Sequence, residues 1–253
     1  MYKRQLLLFS LLCNGQSPKL FTTDKELSSS LINQIYQDRN GFIWIATEDG
    51  LNRYDGAKFT IYKHEPNNEH SLAHNFVRTV FEDSKGHLLI GTYIGIQMYD
   101  PATDNFTPLA KLEDTGETLE SNINSFIERK NGEIWVSGNV LCKLDIKDHL
   151  LTVRKVDIAV TSPGSLFEDK KQNVWMAKGE EGVYQLTPDN QLTLHLSKDN
   201  GYVKSICEDQ RGNIYVGSIR KGLFIYEKER KTFVPVDLKE KGELPVCFLY
   251  SGI

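Results

Sequence analysis

A repeated segment of about forty residues is the feature of this chain that most restricts its fold. The copies begin 45, 46, 40 and 40 residues apart, and four of the five carry Gly three residues after the start. The fourth copy has Gln172 there instead. A large side chain follows six residues after each start. The starts are Asp38, Asp83, Arg129, Asp169 and Asp209, and the large side chains are Trp44, Leu89, Trp135, Trp175 and Tyr215.

Each copy has the composition of several short strands, four of them in most copies. In the first copy these are "INQIYQ", "FIWIAT", "GLNRYD" and "KFTIYK", which are rich in β-branched and aromatic residues and bounded by turn residues. A parallel sheet would need crossover helices, and the sequence has no ten-residue amphipathic stretch to supply them. We therefore predict an all-β protein, a β-propeller of four-stranded antiparallel blades.

The repeated D-x-x-G turn has a predicted structural role. The Asp side chain caps the turn, and Gly adopts the positive φ that other residues avoid. The aromatic ring at the sixth position is predicted to pack between neighbouring blades. The turn residues are Asp38, Gly41, Asp83, Gly86, Asp169, Asp209 and Gly212, and the core residues are Trp44, Trp135 and Trp175.

The repeats divide residues 16–253 into about five blades and part of a sixth in "LPVCFLYSGI". The repeat cores lie near 32–63, 77–109, 123–155, 164–196 and 203–236. "PKLFTT" is a candidate outer strand of a closing blade. Residues 1–15 have the charged start and apolar run of a signal peptide, although an arbitrary hydrophobic start is the alternative.

Cleavage after this leader would leave three cysteines, an odd number that does not make a disulfide framework. Cys142 and Cys207 fall in strand patterns and are predicted to be small core residues.

The first two copies, from "IYQDRNGFIWIATEDGLNRYD" to "FEDSKGHLLIGT", closely resemble the two-component-regulator propeller repeat. The resemblance extends over about residues 20–235. It departs at Glu26, where Gly is usual, and in the third copy, which is one residue short after Trp135. The fourth and fifth copies have one extra residue before Gly182 and Gly222. This repeat builds the periplasmic sensor region of Bacteroidetes hybrid two-component system histidine kinases.

The resemblance implies a sensor on the periplasmic side of the inner membrane that recognises oligosaccharides and regulates glycan-utilisation genes. The partners that the resemblance implies are the rest of the sensor kinase chain and a second copy of the chain in a homodimer. It also implies a seven-bladed ring, of which this chain is predicted to be an incomplete part. No kinase, receiver or helix-turn-helix motif occurs in the sequence. We therefore expect a fragment or a stand-alone sensor piece, marginally soluble and weak in ligand binding by itself.

Motifs for catalysis are missing from the sequence. It has no G-x-S-x-G, H-E-x-x-H, C-x-x-C or phosphate-binding loop, so we predict no enzymatic activity and no cofactor. His64, His70 and His74 are interpreted as a polar loop rather than a metal site. A net charge of −4 does not indicate a nucleic-acid-binding surface. The alternatives are a propeller lyase or glycosidase acting on glycans, and a propeller scaffold that binds proteins.

One face of the predicted propeller collects candidate ligand-binding residues. The loops from strand four to the next blade and those from strand two to strand three share this face. Its amide, aromatic and charged groups suit a sugar, which offers hydroxyls and a flat apolar surface. Ordinary exposed loop residues are the alternative for each position. The candidates are Asn75, Arg78, Tyr93, Asn122, Lys178 and Arg220.

Overall fold

The computed structural model describes residues 20–23, 26–196 and 201–236. Within them the regular secondary structure is entirely β, which confirms the predicted all-β propeller class. None of the described residues forms a helix that could cross a membrane. The predicted signal peptide and the predicted partial sixth blade lie outside the described residues.

Five sheets follow one another along the chain. Blade 1 comprises β1 (Ile32–Gln37), β2 (Ile43–Thr47), β3 (Gly50–Tyr54) and β4 (Phe59–Tyr62). Blade 2 comprises β5 (Val77–Glu82), β6 (Leu88–Thr92), β7 (Ile96–Asp100) and β8 (Asn105–Phe106). The next strand, β9 (Lys111–Leu112), precedes blade 3, which comprises β10 (Ser125–Glu128), β11 (Ile134–Ser137), β12 (Leu141–Lys147) and β13 (Leu150–Lys155).

Blade 4 comprises β14 (Leu166–Glu168), β15 (Val174–Lys178), β16 (Gly182–Leu186) and β17 (Leu192–Leu196). Blade 5 comprises β18 (Tyr202–Glu208), β19 (Ile214–Ile219), β20 (Gly222–Glu227) and β21 (Thr232–Pro235). Consecutive strands within each blade pair antiparallel. The first strands contact one another in chain order, β1 with β5, β5 with β10, β10 with β14 and β14 with β18. The first strand of each blade is therefore its innermost strand.

Two elements differ from the sequence prediction. β9 adds a fifth strand to blade 3 because Lys111–Leu112 pairs in parallel with β13. The predicted strand near residues 18–23 does not form over the described residues 20–23. Phe21 instead packs on Tyr54 and Phe59 of blade 1, with ring centroids 5.2 and 5.0 Å away.

The hydrophobic core lies between neighbouring blades. Trp44 is fully buried in a cluster that also contains Val80 and Ile90 of blade 2. Trp175 occupies the corresponding place between blades 4 and 5. Because each large ring fills the gap to the next blade, it buries its apolar area against a neighbour rather than within its own sheet. Ile35 of blade 1 is 55% exposed, whereas its counterparts in the other four blades are buried.

The Asp of the repeated turn is a hydrogen-bond acceptor for both backbone and side chain. Oδ1 of Asp38 accepts the backbone N–H groups of Asn40 and Phe42, and Oδ2 accepts the indole N–H of Trp44 at 2.8 Å. Asp169 repeats this arrangement with Trp175. The D-x-x-G turn therefore also orients the ring that packs on the next blade.

Gln172 shows that the turn requires a conformation rather than a particular residue. Its φ is 66°, close to the 80–94° of the four glycines at the same position. In blade 3, Arg129 replaces the turn Asp, and the indole N–H of Trp135 is accepted by Glu133 instead. The guanidinium of Arg129 lies 4.5 Å from the centre of the Trp135 ring.

A glutamate at the end of the first strand joins neighbouring blades on the turn face. Glu82 accepts the backbone N–H of Arg39 at 2.8 Å, and its carboxylate also lies 2.6 Å from the Arg39 side chain. The same contact recurs between the later blades, where Glu128, Glu168 and Glu208 accept the N–H groups of Ser84, Lys130 and Lys170. Blade 1 has Gln37 at this position.

Gly182 is expected to be sensitive to substitution because it opens β16 at φ 125°, and a Cβ there would lie 1.4 Å from the carbonyl oxygen of Leu196. Gly56 also has a positive φ, 96°, but a Cβ there would meet nothing within 4 Å. We expect Gly182→Ala to lower the free energy of unfolding by about 2 kcal/mol more than Gly56→Ala, since only the former adds overlap to backbone strain. Urea unfolding of both variants measures this difference. Equal losses would mean that strain alone acts at Gly182.

The cysteines differ in chemical state. Cys142 is a free, buried thiol, and burial raises its pKa to about 11, so little of it is thiolate at neutral pH. Cys207 is also buried, but it is disulfide-bonded. Burial of both agrees with their prediction as core residues, whereas the disulfide of Cys207 was not predicted.

Candidate functional site

A cavity of about 360 Å³ lies where the five innermost strands meet. Every described blade contributes lining residues from the start of its first strand or the loop before it. Ser162 and Gly179 also line it, and these two residues belong to the predicted loop face. The cavity therefore opens on the face where the strand four–one and strand two–three loops lie.

One repeat position supplies a lining residue from every blade. It lies five residues before the start of the repeated turn and is occupied by Asn33, Arg78, Asn124, Gly164 and Lys204. Two of these side chains join neighbouring blades: Asn33 donates to the carbonyl of Val77 at 2.7 Å, and Asn124 donates to that of Pro163 at 3.0 Å. The two asparagines therefore have a structural role. Arg78 and Lys204, at the same repeat position, have longer side chains that carry a positive charge.

Arg78 and Tyr93, two of the predicted ligand residues, belong to one group of side chains. The guanidinium of Arg78 lies 5.9 Å from the centre of the Phe76 ring. The Phe76 ring lies 6.0 Å from that of Tyr93, which also neighbours His74 at 5.6 Å. Tyr93 is 53% exposed, so one part of its ring is open to solvent. We call Tyr93, Phe76 and His74 the aromatic platform; it adjoins the cavity through Arg78.

Asn75 and Asn122 both lie in loops that precede the first strand of a blade, but they have different surroundings. The Asn75 side chain accepts the backbone N–H of His64 at 2.7 Å and donates to Asp49 at 3.1 Å. It therefore ties the loop between blades 1 and 2. The side-chain oxygen of Asn122 is buried and has no hydrogen-bond partner among the described residues. Neither residue lines the central cavity.

Lys178 and Arg220 lie on the loop face beside the cavity rather than in its lining. The Lys178 ammonium lies 2.7 Å from the Glu181 carboxylate and donates to Thr161 at 3.1 Å. It lines a neighbouring hollow of about 440 Å³, which shares Tyr202 with the central cavity. Arg220 is exposed and has a positive φ of 87° in the turn between β19 and β20.

The histidines of the 64–75 loop bond to nearby backbone. Ring nitrogens of His64 and His70 lie 3.0 and 3.1 Å from the carbonyl oxygens of Leu72 and Phe106. His74 accepts the backbone N–H of Phe76 at 2.9 Å. The described residues contain no group of three His, Cys, Asp or Glu side chains that could hold a metal ion.

A second cavity, of about 280 Å³, lies between blades 2 and 3 near the repeated turns. Several of its polar groups already have partners: Asp83 lies 2.7 Å from His87, and Glu133 lies 2.5 Å from Lys143. Burial opposes ionisation of Glu133, but hydrogen bonds from Lys143, Trp135 and Asn131 outweigh it and lower its pKa to about 2. The Glu133 carboxylate is therefore held by groups of the protein itself.

Sequence reasoning identified Arg78 but missed Asn33, Asn124, Tyr202 and Lys204 as cavity residues. A signal was present, because four of the five residues that share the position five before the turn are polar. Aligning the repeats on their turns would have shown one such residue from every blade.

Comparison with known proteins identifies the repeat. The architecture is that of a β-propeller. Residues 26–49, 71–93 and 197–220 match the family described as two component regulator propeller. The match confirms the resemblance seen in the sequence for these three segments.

A curated relative, histidine kinase P4 of Formosa agariphila, is 42% identical over 55 residues, which are 22% of this chain and 4% of that protein. The chain thus spans a small part of the relative it matches.

Solved structures share the fold at low sequence identity. The extracellular domain of a hybrid two-component system from B. thetaiotaomicron is similar with a TM-score of 0.69 and 19% identity, over 87% of this chain and 33% of that chain. A catalytically inactive virginiamycin B lyase from Staphylococcus aureus, solved with quinupristin, is similar with a TM-score of 0.61 and 12% identity. The match covers 84% of this chain and 72% of that chain. Fold similarity at this level includes both sensor domains and enzymes, so the function has to be argued from the site.

Proposed function

We propose that this chain is a ligand-sensing, non-catalytic propeller of a two-component signalling protein, located outside the cytoplasm, and that it recognises oligosaccharides. The matched repeats and the curated histidine kinase support the signalling class. The similar extracellular domain from B. thetaiotaomicron supports the location. The remaining chain of such a sensor kinase and a second copy of the chain are the partners that this function implies.

The exposed aromatic platform beside the central cavity carries the proposed ligand class. Tyr93 offers a ring on which the apolar face of a sugar can stack, and Arg78 offers hydrogen-bond donors to hydroxyl or acidic groups. Polar side chains of Asn33, Asn124 and Ser125 continue this surface into the cavity. Rings flanked by polar groups suit a saccharide better than an apolar ligand.

The composition of the cavity favours binding over glycoside hydrolysis. Hydrolysis generally uses a pair of carboxyl groups, one on each side of the scissile bond. No Asp or Glu is among the described residues that line the central cavity. Nearby, Asp49 is occupied by Lys63 and Asn75, and Glu181 by Lys178. Recognition without turnover is the activity that these residues support.

Replacing Tyr93 by alanine should weaken oligosaccharide binding at least tenfold, a loss of about 1.4 kcal/mol, because the stacking surface is removed. A glycan array with the purified chain identifies the ligand, and calorimetric titration of the strongest-binding sugar measures the loss. The melting temperature should hardly change, since substitutions of exposed side chains have small effects on stability.

Leu194→Ala is the matched control, because Leu194 is 47% exposed but lies on the outer strand β17. It should bind like the unmodified chain. Equal loss in both variants, or conversion of an array sugar into products, would contradict the proposed function.

A further inference from the structure

The central cavity carries positive charge without a matching carboxylate. Arg78 and Lys204 are the charged residues among those that line it. The chain as a whole has a net charge of −4, so this cavity is opposite in sign to the protein that surrounds it. Charges of one sign in a cleft with low-dielectric walls concentrate ligands of the other sign.

The two basic groups of the cavity are unpaired, unlike many basic residues elsewhere. Arg39, Arg129 and Lys143 each lie within 3 Å of a glutamate carboxylate. In the described part of the chain, neither Arg78 nor Lys204 forms an ion pair or a side-chain hydrogen bond. The Arg78 guanidinium lies over the Phe76 ring at 5.9 Å, a contact that leaves its N–H donors available.

The repeat makes these two residues exceptional. At the same position, Asn33 and Asn124 donate to carbonyl groups of the next blade, so a short amide meets the structural need. Gly164 shows that the fold also accepts a residue without a side chain there. A basic residue at this position therefore has no role that the described contacts explain.

The carboxylates of the loop face that lie next to the cavity are not part of its lining. Glu180 and Glu181 line the neighbouring hollow, which shares Ser162, Gly179 and Tyr202 with the central cavity. Glu181 is already 2.7 Å from the Lys178 ammonium. Among the described residues, therefore, no carboxylate lines the central cavity beside Arg78 and Lys204.

We propose that the ligand is an acidic oligosaccharide, whose carboxylate or sulfate group enters the central cavity and is bound by Arg78 and Lys204. This inference rests on the proposed oligosaccharide-sensing function and adds the charge of the sugar. A guanidinium binds carboxylate and sulfate oxygens through paired N–H donors, while an ammonium acts as a point charge. The sugar ring that bears the acid stacks on Tyr93.

Matched pairs of sugars test the proposal directly. One pair is a galacturonate trisaccharide and its carboxyl-reduced neutral counterpart; the other is a sulfated galactan oligosaccharide and its desulfated counterpart. Titration into the full 253-residue chain should show at least tenfold tighter binding of one or both acidic members. Raising the salt concentration should weaken that binding, because screening reduces the attraction between charges.

Charge-removing variants then locate the preference. Arg78→Gln and Lys204→Gln should each reduce binding of the acidic sugar at least tenfold and bring it close to that of its neutral counterpart. Lys58→Gln and Arg211→Gln remove the same charges from exposed positions outside the cavity and should bind like the unmodified chain. Thermal melting of all four variants checks that each is folded.

Each failure has a distinct meaning. Equal binding of acidic and neutral sugars, still lost in Tyr93→Ala, would overturn the charge proposal and leave the proposed function standing. Binding of no sugar, acidic or neutral, would overturn both. Sodium sulfate alone binding as tightly as the sulfated sugar would show an adventitious ion only and would also overturn the proposal.

Discussion

Trp44→Ala should lower the free energy of unfolding by about 3–5 kcal/mol, since it removes a fully buried ring from the interface between blades 1 and 2. The Trp44 ring stacks on the Tyr62 ring, with centroids 5.9 Å apart, and packs edge-on against the Tyr99 ring, with centroids 4.9 Å apart. Removal of the Trp44 ring therefore leaves a cavity that these neighbours cannot easily fill. Urea denaturation followed by circular dichroism measures the change.

Asp49→Ala is the comparison for this variant. Its carboxylate pairs with Lys63 at 2.7 Å and accepts from Asn75, but the pair is about half exposed. Exposed ion pairs contribute roughly 0–1 kcal/mol, so this variant should remain close to the unmodified chain. If the two substitutions cost the same, the assignment of Trp44 to the core and Asp49 to the loop face is wrong.

Asp169→Ala should lower the free energy of unfolding by about 4 kcal/mol, because one carboxylate satisfies four donors, three of them in buried hydrogen bonds. These donors are the backbone N–H groups of Lys171 and Asn173, the Asn173 amide and the Trp175 indole. With the carboxylate gone, the buried Asn173 and Trp175 donors lose their partner, whereas water can reach the part-buried N–H of Lys171. Thermal and urea unfolding of the purified variant measure the loss.

Asp55 provides the matched control for the turn. Its carboxylate also accepts two backbone N–H groups, from Ala57 and Lys58, and these bonds lower its pKa. The side chain is fully exposed, so water replaces it when it is removed. Asp55→Ala should therefore be much less destabilising than Asp169→Ala. Comparable losses would mean that burial of the turn donors does not determine the effect.

The blade architecture was predictable because its determinants are local and repeated. The Asp and the large ring six residues later are held by a hydrogen bond within one turn, as in Asp38 and Trp44, so their spacing is visible in sequence. β9 could not be predicted in this way. It is two residues long, shows no alternation, and exists because Lys111–Leu112 reaches β13 of the next blade.

The candidate site was only partly predictable, because its residues come together through contacts between blades and not through a local motif. Arg78 and Lys204 lie far apart in the chain and meet through the arrangement of blades rather than through a motif. The sequence predicted Lys178 as a ligand-binding residue. It does not show that the Lys178 ammonium forms an ion pair with Glu181. Similarly, the sequence does not show that Asn75 is fully engaged by His64 and Asp49.

A crystal structure of the chain with its strongest-binding acidic oligosaccharide tests the proposed site most directly. We expect a sugar ring against Tyr93 and the acidic group within hydrogen-bond distance of Arg78, inside the cavity shared by the five innermost strands. A sugar bound instead between blades 2 and 3, in the cavity that contains Glu133 and Lys143, would contradict this assignment.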